Sequence, residues 1–229
     1  MTRFSLKILG PGDEKTLKRF LSPRLESSLF LYSNTLAAGL EDTGAPYSGT
    51  YAAAFEGSQI VAVVGHFWNE SVVFQAPIHA PALMRLAQQK CGRPIKRLIG
   101  PDQQVSAAIS RLKLSVEALQ MDEPEKLFAL DLNVLVIPEL LASGRAQARR
   151  IRAEDEDLIT SWRAGYFREM HSAPNDEDLE KTARRHVRAE VSAGSTWILE
   201  VAGQPVSCTS FNATVRDEGI SGVVQVGGV

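Results

Sequence analysis

The last strand-like run of the chain carries its sharpest chemical signal. It reads Ile220–Val229 (ISGVVQVGGV), with Gly227 and Gly228 near its end. Glycine lets a strand bulge and lets a ligand come close to the backbone. Val226, Gly227, Gly228 and Val229 are therefore candidate ligand-facing backbone positions. The same residues also fit a plain hairpin strand with two glycines at a twist. Glu200, in the run Ser195–Ala202, is a weak candidate for a general base. Alternation also fits it to one half-exposed face with Ile198, opposite Trp197, Leu199 and Val201. His66 precedes Phe67-Trp68, and Glu70 or His79 would have to be its partner. Neither spacing is a metal signature, so a packed or hydrogen-bonded histidine is expected. Glu154–Asp157 sets four carboxylates in a row. Consecutive residues point around a helix rather than converge, and a helix N-terminus favours acids, so no metal site is expected there. Lys181, Arg184, Arg185 and Arg188 fall along one helix face. With Glu177, Asp178, Glu180 and Glu190 beside them they read as a solvated face rather than a nucleic-acid contact. No Ser-His-Asp or Cys-His arrangement is visible.

The elements that must hold these residues recur. Phe4–Leu9 reads as a strand, and Asp13 is placed to cap a helix over Glu14–Leu21. Ser28–Leu40 has Leu29, Leu31, Tyr32, Leu36 and Leu40 at helical spacing. Gly49–Phe55, Gln59–Trp68 and Ser71–Gln75 then form a three-strand meander. Helix Ala82–Lys90, strand Ile95–Ile99, helix Gln103–Leu114 (capped by Asp102) and a strongly apolar strand Glu125–Val136 follow. Glu139–Gln147 is the expected linker. A strand Ala148–Arg152 opens the second half. Helices Asp155–Met170 and Asp176–Ala193 lead into strands Ser195–Ala202, Pro205–Thr214 and Ile220–Val229. Helix, helix, meander occurs twice, which suggests two copies of one domain type: residues 1–138 and residues 148–229, joined by 139–147.

Two helices followed by a meander that ends Val-Gln-Val-Gly-Gly-Val resemble the first half of a GNAT acetyltransferase domain. The resemblance covers about a third of the chain. It implies an α/β fold with a mixed sheet, in two tandem GNAT-like acyl-CoA N-acyltransferase units. It implies acetyl-CoA as co-substrate, without a metal, and direct transfer of the acetyl group to a primary amine of a small molecule or peptide. In such domains the fourth strand offers backbone amides to the pantetheine arm, which here implies Val226–Val229. The region at the end of the first helix walls the acceptor site, which here implies Tyr166 and His171. A loop Arg/Gln-x-x-Gly-x-Gly/Ala then holds the pyrophosphate. In the first half the corresponding stretch, Ala76-Pro77-Ile78-His79-Ala80-Pro81, has no glycine and two prolines, so that unit is expected to be degenerate. In the second half the loop would follow Val229, so the unit is expected to be cut short and the chain alone to have little activity. The competing reading is a non-catalytic module that binds acyl-CoA or a protein partner.

The whole chain sets the remaining bounds. At 229 residues, 44% hydrophobic and 23% charged, it has enough apolar material for a sizeable core. A net charge of −2 gives no field for nucleic acid or an anionic membrane. The first residues lack a signal-peptide core and no run is long enough to span a bilayer, so a cytoplasmic location is expected. Cys91 and Cys208 lack CxxC spacing and read as reduced thiols. An apolar strand at the chain end suggests self-association through its open edge.

Overall fold

The computed structural model describes residues 4–112, 122, 125–170 and 176–227. The fold is mixed α/β with two separate sheets. The chain divides into two compact units, Met1–Ala129 with Thr214–Val223, and Leu130–Ala213 with Val224–Val229.

The first unit runs β1 (Phe4–Ile8), α1 (Glu14–Leu21), α2 (Leu25–Ala38), β2 (Gly49–Glu56), β3 (Gln59–Phe67), β4 (Ser71–Gln75), α3 (Ala80–Cys91), β5 (Arg97–Ile99) and α4 (Asp102–Leu112). Its sheet has the order β1-β2-β3-β4-β5. The first four strands pair antiparallel, and β5 runs parallel to β4. The near-continuous apolar character of β2, β3 and β4 follows from burial on both faces. One face carries Ala52, Ala54, Ala62, Val64, Val72 and Phe74 against Leu83, Met84 and Ala87 of α3 and Ala108 of α4. The many alanines let α3 lie close to the strands. On the other face Tyr51 Oη donates to the Leu31 carbonyl of α2 at 3.1 Å. Gln75 Oε1 accepts from Ser27 at 2.8 Å and Ser28 at 3.0 Å. These buried polar groups are paired, as burial requires.

The second unit contains α5 (Glu139–Ala142), β6 (Ala146–Arg150), α6 (Glu156–Met170) and α7 (Asp176–Ala193). Its sheet has the order β6-β7-β8-β9, with β7 at Thr196–Val201, β8 at Gln204–Asp217 and β9 at Ile220–Gly227. Ile151, Ile159, Val187 and Ile198 form a small core, with Trp162, Val191 and Cys208 packed on it. The order strand, helix, helix, three strands thus occurs in both halves. No helix among the described residues is long and apolar enough to cross a membrane.

Several local expectations change. Asp13 stands at the start of α1 but makes no side-chain cap. Its carboxylate turns back instead, accepting from Gly10 N at 3.0 Å and Lys7 Nζ at 2.7 Å. Helix α5 and the start of β6 occupy the stretch read as a linker. The expected strand Glu125–Val136 does not form. It holds a 3-10 turn at Leu132–Val134, where Asp131 Oδ1 accepts from Asn133 N at 2.9 Å. A short aspartate competes for its own backbone in this way, and among the described residues no strand edge pairs with the segment. Its apolar side chains face water: Phe128 and Val136 are each 84% exposed.

That exposure makes the segment a protease target. Chymotrypsin at low dose is expected to cut first at Phe128, Leu130 or Leu132, ahead of every site in β2–β4. Mass spectrometry of the first fragments checks this, and first cuts inside either sheet would contradict it.

Candidate functional site

A crevice opens beside the parallel pair β4–β5. The strands pair over only three residues, from Ser71↔Arg97 to Val73↔Ile99. Gly100 then crosses Phe74 so closely that a Cβ there would lie 2.8 Å from Phe74 Cβ and 3.0 Å from its carbonyl oxygen. Only glycine fits this crossing. Ala76 N, past the end of β4, donates to Gln104 Oε1 at 2.6 Å. Outside the carboxyl ends of the two strands lies a crevice of about 510 Å³, lined among others by Ala76, Pro77, His79, Arg85, Gln104 and Arg111. In sheets with parallel strands this is where ligands bind. Arg85 and Arg111 are exposed, and among the described residues neither forms an ion pair. Two free guanidiniums favour an anion. The backbone offers less. Pro77 and Pro81 have no N–H, and Pro81 occupies the first turn of α3. His79 precedes that helix at φ 60°, its ring stacked on Phe4 with centroids 4.0 Å apart.

A second cluster lies at the other end of α3. His66 of β3 is wholly buried. Its Nε2 is 3.0 Å from the Pro94 carbonyl, which can only accept, so Nε2 carries the proton. Nδ1 is then the acceptor for the Cys91 thiol at 3.2 Å. Arg93 Nη2 donates to the His66 carbonyl at 2.9 Å and, with Nη1, clamps the Asp42 carboxylate. Thr50 also donates to Asp42. Burial pushes the His66 pKa below its ordinary value, and the Arg93 charge acts in the same direction. The bond to Pro94 and the charges of Asp42 and Glu70 oppose this without cancelling it. Sequence reasoning gave His66 a packed, hydrogen-bonded role but missed Cys91. The two residues are 25 positions apart, and nothing in their spacing signals the contact.

In the second unit Glu200 lies on β7, 21% exposed, and accepts from Arg149 Nε at 2.8 Å. Arg149 also grips Asp155 through Nη1 at 2.7 Å and Nη2 at 2.9 Å. Tyr166 of α6 is 37% exposed, its ring 6.1 Å from that of Phe167. Val226 is 53% exposed on β9. The Gly227 carbonyl accepts from Thr209 Oγ1 at 3.3 Å, and a Cβ at Gly227 would lie 2.1 Å from Asn212 Nδ2. His171, Gly228 and Val229 lie outside the described residues. Among the described residues no hydrogen bond joins Glu200, Tyr166 and Gly227. The acidic run and the basic helix face answer each other: Glu156 accepts from Arg188 at 2.8 Å and Asp157 from Arg184 at 2.7 Å. No group of three or more His, Cys, Asp or Glu among the described residues is arranged to hold a metal ion.

No family model, no curated protein and no solved structure matches the chain.

The Arg149 clamp sets a stability prediction. Arg149→Met leaves Asp155, only 6% exposed, without its cation. Breaking one side of such a pair is expected to cost about 3 kcal/mol in urea unfolding. The Arg149 donors hold the Asp155 carboxyl below its ordinary pKa, against the opposing pull of burial. A depressed carboxyl stabilises fully above its unfolded pKa of about 4 and loses that contribution as pH falls through the folded value. The gap between wild type and variant should therefore shrink as the pH drops from about 5 to about 2. A gap that is constant with pH would contradict this.

Proposed function

We propose that the chain belongs to an acetyl-CoA-dependent N-acetyltransferase of the GNAT type, built as two tandem units. The observation that carries this reading is the repeated order of strand, helix, helix and three strands. In the first unit a parallel β5 and a crevice complete that order. Among the described residues β9 is the last strand of its sheet, so one edge of Val226 and Gly227 is open to an extended pantetheine arm. Strand addition by a ligand uses such an edge. The chemistry would be placement of an amine against a thioester, with backbone N–H groups polarising the carbonyl and a base taking the ammonium proton. Glu200 fits that base poorly, because its Oε1 already accepts from Arg149 Nε at 2.8 Å.

A second reading has its own support. Among the described residues Arg85 and Arg111 have no ion-pair partner, and the crevice they line is entered by a loop with Pro77 and by a helix start with Pro81. That combination suits a non-catalytic module that holds a phosphate-bearing ligand by side chains rather than by backbone N–H groups.

Calorimetric titration with acetyl-CoA separates the readings. Saturable binding weakened roughly tenfold by Gly227→Val, but unaffected by Arg85→Glu with Arg111→Glu, supports the β9 edge. The reverse pattern supports the module. No binding by the wild type at millimolar ligand would sink both.

A further inference from the structure

We propose that Cys91 and His66 form a nucleophile–base pair that makes Cys91 a site of thiol–disulfide exchange with small anionic disulfides. The cluster belongs to the first unit, and the proposal does not depend on the acetyltransferase reading.

Three features make this more than a cysteine near a histidine. The first is the fixed tautomer. The Pro94 carbonyl at 3.0 Å holds the proton on Nε2, so the Nδ1 lone pair faces the thiol at 3.2 Å. A nucleophile, a base within hydrogen-bond reach and a third group orienting the base are the parts an activated thiol needs. The second is rigidity. His66 is fully buried at the next-to-last position of β3, and Arg93 ties its carbonyl to Asp42, so the ring has no room to swing away. The third is access combined with charge. Cys91 is partly exposed at the last turn of α3. Lys90 is exposed beside it. That cation draws an anionic disulfide such as oxidised glutathione.

The step balances without a further oxidant. As Cys91 Sγ attacks one sulfur of the disulfide, its proton passes to His66 Nδ1. A new S–S bond joins Cys91 to one half of the reagent. The other sulfur leaves as a thiolate and recovers the proton from His66. The disulfide is reduced by the same two electrons that oxidise Cys91.

The charged groups around His66 limit its role. Arg93 and burial disfavour a resting imidazolium, while Asp42 and Glu70 favour it. His66 is therefore neutral at rest, and its Nδ1 is open to take the thiol proton during attack. Cys208 provides an internal control. It is the chain's other cysteine, and burial pushes its thiol pKa up.

The test exposes the folded 229-residue chain to oxidised glutathione and follows each cysteine by peptide mass spectrometry. At pH 7, Cys91 is expected to form the mixed disulfide at least roughly a hundredfold faster than Cys208, in line with general-base assistance. His66→Asn should remove most of that advantage at pH 7 and leave Cys208 unchanged. Near pH 9.5 hydroxide replaces the base, so wild type and variant should converge. A purely structural histidine would give no such convergence. Should the variant fail to fold, the wild type alone decides, because its Cys91-to-Cys208 rate ratio must fall between pH 7 and pH 9.5. Equal rates at the two cysteines at pH 7, or a ratio that does not change with pH, overturns the proposal.

Discussion

A sheet covered on both faces governs the first unit. With α3 on one side of β2–β4 and α2 on the other, no central strand position faces water. A charge there would face a desolvation cost of several kcal/mol, so the strands are built from alanine, valine, glycine and aromatic residues. Of the polar side chains that remain, Tyr51, Gln75 and His66 find partners inside. Chemistry is thereby pushed to the rim of the sheet. The crevice opens where β4 and β5 part, and the His66–Cys91 pair sits where β3 meets the last turn of α3.

The second unit relies less on apolar burial and more on arginine. Its core is small. Around it Arg149 bridges β6, β7 and the turn before α6, while Arg163 joins α6 to Glu190 of α7 at 3.0 Å. Glu190 also accepts from Thr196 Oγ1 at 2.9 Å, which carries the network into β7. Such pairs add little over an apolar replacement but are costly to break singly. They specify which strand meets which helix. They also account for part of the acidic run and part of the basic helix face. Arg184 and Arg188 satisfy Glu156 and Asp157 across two packed helices.

Much of the element order was legible because it rests on local rules. Helical spacing located α2, α6 and α7, and turn residues separated β2, β3 and β4. The failures share a cause. Glu125–Val136 has the composition of a strand, yet a strand needs an edge to pair with, and composition cannot supply one. Asp13 has the identity of a cap, but Lys7 competes for its carboxylate from six residues away. Of the candidate site residues, Glu200 had a readable strand position, while its partner Arg149, 51 residues distant, did not.

The sequence by itself determined the periodicities, the turns, the recurrence of helix, helix and meander, and the lack of a glycine-rich loop after β4. These depend on residues within a few positions of one another. Only the tertiary structure decided that β5 runs parallel beside β4, that Arg85 and Arg111 line one crevice, and that Cys91 meets a histidine whose tautomer Pro94 fixes. Those contacts arise when α3 lies across the sheet. The packing that brings its two ends to β4 and β3 depends on the summed fit of many side chains, so no short stretch of sequence encodes it.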